Sequence, residues 1–553
     1  MHRHSFQHSE WRSVVRFGLL RIHIDFLWTQ LMRKTRLTTI AFCVAFCFQA
    51  PFSLAELTST ELDEFVVDAM SKLDVAGAAI GIVKDGSIIH RKGYGVRSLK
   101  TKERVNEHTN FQIASNSKAF TTAALAILID EGKLSWNDKV VDHIPEFKMY
   151  NAYVTHNLTI EDLLTHRSGL GAGAGDLMFL PDGSDFGIDD VLGGFQHFKP
   201  VSAFRTKHHY NNLLYLAAGE VIARKTGMTY GEFVCSRIFK PLGMDKSYPW
   251  LHGVTERRNL ATPHSNESGP LREIDHFTIG KQMNGAAGGI VSNVDDLCQW
   301  LLLQLNQGRY GNDLNERVFS SERQDEMWTI YSSESPEYKG QLRGYGLGWH
   351  LETIPTALLI EHGGALPGMA SKTVLVPAKN LGFVVLTNGN ESNFCEAVRL
   401  KLLGSYLLNI DYKLQDERVK AVKETREKKH QELSDFWNSL PNKESNSASF
   451  ENYKGVFEDC WFGKVEVFQK NDQLWIKSLR SPRLNGRMHF YRASTFAVKW
   501  EYQDLTADAF AVFNVDETGE AQSVTLKAIS KAIDFSFDFH DLDLRRVQWK
   551  ESK

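Results

Sequence analysis

Residues 111–132, FQIASNSKAFTTAALAILIDEG, place a candidate nucleophile at the start of an apolar helix pattern, and the rest of the chain is interpreted from there. Apolar residues recur in this stretch at the spacing of one helix face, namely Phe120, Ala124, Ile127 and Leu128. A glycine at 132 follows the last turn, as is typical of a helix end. The helix opens on SNSK, residues 115–118, which is the one Ser-x-x-Lys in the sequence.

A hydroxyl and an amine one helical turn apart can form a nucleophile and its base, and the spacing of three puts Ser115 and Lys118 on one helix face. A serine hydroxyl is a poor nucleophile at its own pKa and needs a neighbour that takes its proton. The Lys118 amine can do this if desolvation keeps it neutral. Unpaired N–H groups at the helix N-terminus also suit a developing oxyanion. The alternative interpretation is an N-cap serine beside a surface lysine.

A second candidate is YNN, residues 210–212, which opens another helix pattern with Leu213, Leu216, Ala217 and Val221 inward. A phenol beside a cation can relay a proton, and an amide can orient a lysine or a substrate carbonyl. Residues 310–312, YGN, share the Tyr-x-Asn pattern but stand in a loop-like stretch, GRYGND. We therefore prefer Tyr210 and Asn212.

The third candidate is HGG, residues 362–364, which leaves the strand pattern ALLIE. Small residues at a strand end let a substrate backbone approach closely, and His362 can add a hydrogen-bond donor or a switchable charge. The alternative is an exposed histidine at a strand end. The sequence has no G-x-S-x-G elbow, so no rival motif of that kind competes with Ser115.

The chain separates by composition into four stretches: 1–55 before the globular part, 56–410 with helix and strand patterns, 411–450 charge-dense and then polar, and 451–553 with short strands. Within 56–410, a hairpin turning at Asp85-Gly86 and several strands between 344 and 388 enclose a mostly helical middle. These patterns predict an α+β domain in which an antiparallel sheet, completed by both ends of the domain, is flanked by helices. A charged helical linker and a small all-β barrel or sandwich follow.

Residues 1–55 are predicted to be an upstream extension and a secretory signal peptide. From Met32, a basic start precedes an apolar stretch from Leu37 to Phe48, and Ser-Leu-Ala at 53–55 fits a cleavage site. The apolar stretch is too short to span a bilayer, which takes about 20 residues. An uncleaved membrane anchor is the alternative. We therefore expect a periplasmic or extracellular protein with no stable membrane span after cleavage.

Composition excludes several classes of function. The 64 Lys and Arg against 67 Asp and Glu give a formal charge of −3 over 553 residues, which provides no broad attraction for nucleic acid. The 34 Phe and 12 Trp exclude a disordered chain. No H-E-x-x-H, paired Cys/His ligands, phosphate loop or dinucleotide fingerprint occurs, so we expect no metal and no cofactor. The scattered cysteines downstream of residue 55 predict buried free thiols, with one disulfide left open: Cys235, Cys298, Cys395 and Cys460.

Five ordered stretches resemble the penicillin-recognising serine hydrolases, in the branch of class C β-lactamases, D-alanyl-D-alanine carboxypeptidases, D-aminopeptidases and related esterases. They are residues 111–147, LLTHRSGL at 163–170, HHYNN at 208–212, AAGGIVSNVDDLCQWL at 286–301 and EHGGALPGMAS at 361–371. The resemblance covers nearly all of 57–410 and implies a β-lactamase/DD-peptidase-like sheet with an all-helical subdomain. The linker and β tail are similar, more weakly, to a lipocalin-like domain appended to some members.

The resemblance also implies roles for single residues. Ser115 is acylated, Lys118 and Tyr210 manage its proton, and Asn212 helps to hold Lys118 and the substrate amide. The oxyanion hole maps onto the backbone N–H groups of Ser115 and Ala365, and the substrate lies along His362 and Gly364. Where β-lactamases of this branch carry Lys-Thr-Gly, this chain has His-Gly-Gly, as is familiar among esterases and aminopeptidases. A fixed cation for a β-lactam or peptide carboxylate is thus missing.

We therefore expect an exported serine hydrolase that cleaves an amide or ester through an acyl-enzyme on Ser115. Its substrate would be a small molecule or peptide, such as a D-amino-acid peptide, an ester or a β-lactam-like compound. One alternative is a penicillin-binding or cell-wall sensor protein that deacylates slowly. Another gives the β tail the main role, in partner or lipid binding. The oligomeric state is open.

Overall fold

The computed structural model describes residues 57–280, 283–336, 340–440, 450–504, 506–531, 533–537 and 539–548. The signal peptide predicted within 1–55 lies outside these residues. In the part that is described, no helix is both long and apolar enough to cross a membrane. The four cysteines at 235, 298, 395 and 460 are free thiols, so no disulfide links any two of them. Cys298 and Cys395 are buried as predicted, whereas Cys235 is half-buried and Cys460 is exposed, so the prediction of burial is wrong for these two.

An antiparallel sheet of eight strands forms the centre of the first domain, in the spatial order β2-β1-β14-β13-β12-β11-β10-β9. The strands are β1 (Gly77–Lys84), β2 (Ser87–Gly95), β9 (Ser332–Ser333), β10 (Arg343–Tyr345), β11 (His350–Ile354), β12 (Ala357–Leu366), β13 (Met369–Val376) and β14 (Leu381–Thr387). Strand β1 pairs with β14, from Ala78 opposite Thr387 to Lys84 opposite Leu381. Both ends of the domain thus complete one sheet, as the sequence predicts.

The hairpin between β1 and β2 turns at Asp85 and Gly86, whose φ angles are +50° and +78°. A two-residue turn with positive φ at both positions matches the twist of the strands, and Asp-Gly tolerates it well. Seven of the eight β1 residues are buried, because helices cover both faces of the sheet. The remaining short strands form three two-stranded ribbons: β3 (Phe111–Gln112) with β6 (Val291–Ser292), β4 (His264–Ser265) with β5 (Arg272–Glu273), and β7 (Arg309–Tyr310) with β8 (Glu316–Arg317).

Helices make up the rest of the first domain. They are α1 (Ser59–Lys72), α2 (Ser117–Asp130), α3 (Val140–His143), α4 (Ala152–Asn157), α5 (Ile160–Leu164), α6 (Ile188–Gly194), α7 (Leu213–Thr226), α8 (Tyr230–Val234), α9 (Val294–Leu305), α10 (Ser321–Met327) and α11 (Ser392–Leu403). Residues 117–128 of α2 are all buried, although the sequence pattern shows one apolar face. The small residues and threonines on its other side let neighbouring elements close over it, and Thr121, for example, lies 2.9 Å from the Tyr230 hydroxyl.

The second domain is a closed antiparallel barrel whose eight strands follow one another in chain order, which confirms the predicted barrel-like domain. The strands are β15 (Gly455–Asp459), β16 (Gly463–Lys470), β17 (Gln473–Ser478), β18 (Asn485–Arg492), β19 (Thr495–Trp500), β20 (Ala509–Val515), β21 (Ala521–Ala528) and β22 (Leu544–Val547). Closure pairs β15 with β22, so the sheet has no free edge. Alternate residues of the strands fill its interior.

The exposed helix α12 (Asp416–Ser439) runs between the two domains and contacts both. Arg426 pairs with Asp74 at 2.9 Å on the sheet side, and the Trp437 indole N–H donates to Asp508 at 2.9 Å on the barrel side. A second contact between the domains is Arg480 in the barrel domain, which donates to both oxygens of Asp190 at 2.7 and 2.9 Å. These ion pairs hold the barrel against the helical side of the first domain.

Candidate active site

Ser115 lies in a tight 3-10 turn, Ala114–Asn116, immediately before α2. The turn presents its side chain to a cavity of about 650 Å³. Ala114 has a φ of +49°, a left-handed conformation that is unusual for a residue with a side chain. The Ser117 hydroxyl donates to the Ala114 carbonyl at 2.7 Å and keeps the turn closed. The strained turn therefore presents the Ser115 hydroxyl to the cavity, just before the N-terminus of the buried helix α2.

Lys118 is completely buried, one turn after Ser115. Its Nζ lies 3.2 Å from Ser115 Oγ, 2.7 Å from Asn212 Oδ1 and 2.7 Å from the Ala287 carbonyl oxygen. Burial lowers the pKa of Lys118 from 10.5 to about 7, while the carboxyl of Asp176 acts in the opposite direction. A substantial fraction of the lysine is therefore a neutral amine near pH 7, the form that can accept the serine proton.

Tyr210 covers Lys118 from the other side, with its ring centroid 4.8 Å from Nζ. Burial raises the pKa of Tyr210 well above 10, although the nearby Ser115 hydroxyl opposes this. Its hydroxyl is buried and has no partner in hydrogen-bond geometry within the described residues. The phenol thus stays protonated and is free to donate to a bound substrate. The structure brings Ser115, Lys118, Tyr210 and Asn212 together, and Ser115, Tyr210 and Asn212 line the cavity.

Asn211 and Asn212, at the start of α7, have different hydrogen-bond partners. The Asn211 side chain accepts from the Leu214 backbone N–H at 3.1 Å and donates to the Ala174 carbonyl at 3.0 Å, so it builds the helix start. Asn212 turns toward Lys118 instead. The sequence pattern predicted that YNN opens a helix, and the three residues directly precede α7, with Asn212 in the N-cap position before Leu213.

Asp176 is a site residue that the sequence reasoning missed. Its Oδ2 accepts from Asn212 Nδ2 at 2.8 Å and from the Ser536 hydroxyl at 2.7 Å. Burial raises the pKa of Asp176 to about 7, against these two hydrogen bonds and Lys118. In the sequence, Asp176 is the acid that ends the glycine-rich stretch SGLGAGAGD, residues 168–176, which matches neither a phosphate loop nor a dinucleotide fingerprint.

His166 lies behind Tyr210, with 4.2 Å between the ring centroids. Its Nδ1 accepts from the Asn211 backbone N–H at 3.1 Å. Burial lowers the pKa of His166 well below 6.5, so the ring stays neutral. The histidine therefore supports the tyrosine from outside the cavity. Tyr310 lies elsewhere, in the β7–β8 ribbon, and donates to Glu316 at 2.6 Å.

His362 lines the cavity on β12, but both of its ring nitrogens are engaged within the protein. Nδ1 lies 2.7 Å from the Gly363 carbonyl oxygen and so donates to it, which leaves Nε2 to accept from the Tyr345 hydroxyl at 2.9 Å. Burial lowers the pKa of His362 well below 6.5. We expected a donor or a switchable charge from this residue, and the buried position instead gives a neutral ring.

Gly364 and Ala365 follow His362 along β12 and also line the cavity. A Cβ at Gly364 would lie 2.3 Å from the Ile113 carbonyl oxygen and 3.0 Å from Ala114 Cβ, so the strand touches the nucleophile turn there. Ala365 is exposed near the end of the strand and lines the same cavity as Ser115. The glycine therefore fixes how closely β12 approaches Ser115.

The cavity wall comes from both domains and combines polar and charged residues with apolar ones, among them Phe179, Leu216, Phe277, Ile279, Phe535 and Phe537. Three cations are among the described lining residues, and each has a carboxylate partner: Lys372 with Glu361, Lys429 with Glu267 and Arg343 with Glu334. No group of three or more potential metal ligands occurs among the residues that the structure describes.

Two family models match the sequence. One, described as Beta-lactamase, matches residues 62–407, and the other, a domain of unknown function (DUF3471), matches residues 440–546. Among curated proteins, the Unguisins hydrolase ungD' of Aspergillus campestris is 28% identical over 59% of this chain and 60% of its own. Protein flp of Staphylococcus aureus is 27% identical over 60% of this chain and 63% of its own. The chain thus spans a little over three fifths of the length of these relatives.

Solved structures show the same fold at low identity. The octameric penicillin-binding protein homologue from Pyrococcus abyssi superposes with a TM-score of 0.53 at 21% identity, over 88% of this chain and 99% of that one. A crystal structure of SurE gives a TM-score of 0.51 at 17% identity, over 88% and 99%. At these identities, the likeness concerns the fold.

Proposed function

Because this chain belongs to the Beta-lactamase family, we propose that it is an exported serine hydrolase that cleaves an amide or an ester through an acyl-enzyme on Ser115. The observation that carries the proposal is the position of Lys118. The side chain is fully buried, it lies within hydrogen-bond distance of the Ser115 hydroxyl, and burial lowers its pKa to about 7. An amine with no other reason to be buried there is best explained as the base for that hydroxyl.

The chemistry follows from the protonation states of the two neighbours. Neutral Lys118 accepts the proton as Ser115 Oγ forms a bond to the substrate carbonyl carbon. The Tyr210 phenol, protonated before the reaction, gives its proton to the leaving group as the C–N or C–O bond breaks and takes the proton that Lys118 received from Ser115. Water then attacks the acyl-enzyme while the Tyr210–Lys118 pair accepts its proton, and the pair passes a proton to Ser115 Oγ as the acyl bond breaks.

We propose that the backbone N–H groups of Ser115 and Ala365 hold the oxyanion. The 3-10 turn puts Ser115 at the N-terminal end of a buried helix, where N–H groups and the helix dipole favour negative charge. Ala365 lies at the exposed end of β12, and the close approach at Gly364 brings that strand against the turn. Asn212 would contact the substrate amide as well as Lys118.

The substrate class that fits best is an ester or amide with an apolar acyl group. The lining is rich in aromatic and aliphatic side chains, and the lining cations are already paired with carboxylates. The neutral His362 adds no charge for a substrate carboxylate. A β-lactam or a peptide with a free carboxylate would therefore bind less well. The fungal relative's name, a hydrolase of unguisins, is consistent with a hydrolase.

Export is part of the proposal and is supported by the sequence from Met32, which has the basic, apolar and small-residue parts of a signal peptide. Mass spectrometry of the protein recovered from the culture medium or periplasm should give a new N-terminus close to Ala55. Recovery of the chain only in the cytoplasm, with its N-terminus intact, would contradict export.

Covalent labelling tests the nucleophile. A fluorophosphonate probe should add to Ser115 in the unaltered chain, and peptide mass spectrometry should find no adduct after Ser115→Ala. Ser236→Ala is the control, because that exposed hydroxyl donates to the Glu232 carbonyl and does not line the cavity, so labelling should persist. An adduct of equal yield on the Ser115→Ala protein would refute the proposal.

Rates on a panel of substrates test the class of reaction. We expect turnover of p-nitrophenyl butyrate and slower turnover of nitrocefin, D-alanine p-nitroanilide and a D-Ala-D-Ala peptide. A dominant nitrocefin rate would show that the neutral His362 does not limit binding of a β-lactam. One equivalent of product without further turnover would favour the slowly deacylating sensor.

A further inference from the structure

The barrel domain contributes a wall of the candidate active site. Residues 533–537, between β21 and β22, lie against the glycine-rich loop that leads to Asp176. A Cβ at Gly173 would be only 2.5 Å from the Phe535 carbonyl oxygen, and Gly173 has a φ of +72°. The Phe535 ring lies 5.9 Å from that of Tyr210. The two chain segments therefore meet at backbone distance, beside the catalytic tyrosine.

The barrel holds this segment firmly enough to position a side chain. Phe537 is buried, with its ring 5.8 Å from that of Phe539, which lies 6.1 Å from the Trp500 ring inside the barrel. The backbone N–H groups of Ser536 and Phe537 donate to Asp534, which closes a turn. Ser536 stands between these two anchors and is itself buried.

A continuous series of hydrogen bonds runs from this serine to the nucleophile. The Ser536 hydroxyl donates to Asp176 Oδ2 at 2.7 Å, and Asn212 Nδ2 donates to the same oxygen at 2.8 Å. Asn212 Oδ1 accepts from Lys118 Nζ at 2.7 Å, and Nζ lies 3.2 Å from Ser115 Oγ. The amide of Asn212 has one orientation in this series, because only its NH₂ can donate to the carboxylate.

We propose that Ser536, from the barrel domain, is a positioning residue of the active site that acts through Asp176 and Asn212 to set the orientation and the charge of Lys118. The inference rests on the proposed function, in which Lys118 is the base for Ser115. On this inference, the barrel domain contributes to the geometry and the electrostatics of the active site.

The Ser536 hydroxyl, acting through Asp176, should change the pKa of Lys118 in one definite direction. An ionised Asp176 attracts the Lys118 ammonium and raises its pKa, and the Ser536 hydroxyl favours that ionised form by donating to it. Asp534 disfavours the ionisation of Asp176, and Asp176 in turn contributes to the raised pKa of Tyr210, which stays neutral. Loss of the Ser536 hydroxyl therefore raises the pKa of Asp176 and lowers the pKa of Lys118.

The experiment measures the rate of fluorophosphonate labelling at Ser115 from about pH 5 to pH 9. In that reaction the Ser115 oxygen bonds to phosphorus, fluoride leaves, and the serine proton passes to the base. In Ser536→Ala we expect the acid limb of the profile to move about half a pH unit lower and the plateau rate to fall about tenfold. Asp176→Asn should move the limb in the same direction by more, since it removes the charge itself.

Matched variants separate positioning from a general loss of structure. Ser523→Ala removes another buried barrel hydroxyl, 8% exposed against 6% for Ser536, and should leave the profile unchanged. Ser536→Thr keeps the hydroxyl and should restore the position of the acid limb. An acid limb that coincides with that of the unaltered chain in both Ser536→Ala and Asp176→Asn would overturn the inference, whatever the plateau rate. If the unaltered chain is not labelled, the proposed function itself fails.

Discussion

Gly364→Ala should separate the candidate nucleophile from the strand beside it. The new Cβ would lie 2.3 Å from the Ile113 carbonyl oxygen and 2.5 Å from Ser371 Oγ, while ordinary contact begins at 3.4 Å. Neither atom can easily retreat, because Ser371 Oγ donates to that carbonyl at 2.8 Å and accepts from Asn116 Nδ2 at 2.7 Å. The strand and the nucleophile turn must therefore move apart by about 1 Å.

A displacement of that size is enough to disturb catalysis strongly. A misplacement of about 1 Å costs on the order of 100-fold in rate when reacting groups are held by packing. We therefore expect kcat/KM for p-nitrophenyl butyrate to fall about 100-fold, and the added strain to lower the free energy of unfolding by about 1–3 kcal/mol. Steady-state kinetics and urea unfolding measure the two effects on one preparation.

The adjacent glycine provides the control. A Cβ at Gly363 would lie 3.9 Å from its nearest neighbour, the Ser371 carbonyl oxygen, so Gly363→Ala adds the same methyl group without a collision. We expect its kcat/KM to stay within about threefold of the unaltered chain. If Gly364→Ala remains folded and keeps kcat/KM within twofold, close contact between β12 and the turn does not set the geometry of Ser115.

Three further expectations follow from burial and charge. Because burial lowers the pKa of Lys118 to about 7, kcat/KM for a neutral ester should fall roughly tenfold per pH unit below that point, and a flat pH–rate profile down to pH 5 would be contrary to its role as base. Arg480→Ala removes the ion pair to the first domain and should destabilise the barrel by about 1 kcal/mol in urea titrations followed by tryptophan fluorescence. Arg545→Ala, on the exposed outside of the barrel, should leave that midpoint unchanged. In native protein Cys460 should react with a thiol reagent much faster than Cys298, whose pKa burial raises to about 12; equal rates would contradict this burial.

Local patterns were enough to predict the hairpin, the helix after Ser115 and the short strands of the barrel. Each rests on residues close together in the chain: the Asp-Gly turn at 85–86 needs two positive φ angles, and the SNSK motif needs one helical turn. The pairing of both ends of the first domain followed from strand patterns at each end. The extent of burial of α2 could not be predicted from its own sequence pattern, because it depends on elements that pack over the polar side of the helix.

Contacts between residues far apart in the chain could not be predicted from local sequence patterns. Ser536 and Asp176 are 360 positions apart, and neither stands in a motif that names a partner. The sequence pattern placed His362 where a strand ends, but β12 continues through it to Leu366, because residues 362–366 also pair with β13. The hydrogen bonds of its ring nitrogens depend on Tyr345 and on the Gly363 carbonyl, which the pattern does not show. Sequence reasoning identifies the chemical groups at such a site more readily than their hydrogen-bond partners, because tertiary packing decides the partners.

The pairing of β1 with β14 has a consequence for how the protein is made. The Gly77 carbonyl accepts from the Thr387 hydroxyl, a residue 310 positions later. On the ribosome, the β1–β2 hairpin emerges long before β14, the strand that pairs with β1. The apolar residues of the hairpin stay exposed until β14 has been synthesised. Synthesis of about three hundred residues thus separates the appearance of this hairpin from its burial, and during that interval a chaperone would find an exposed target.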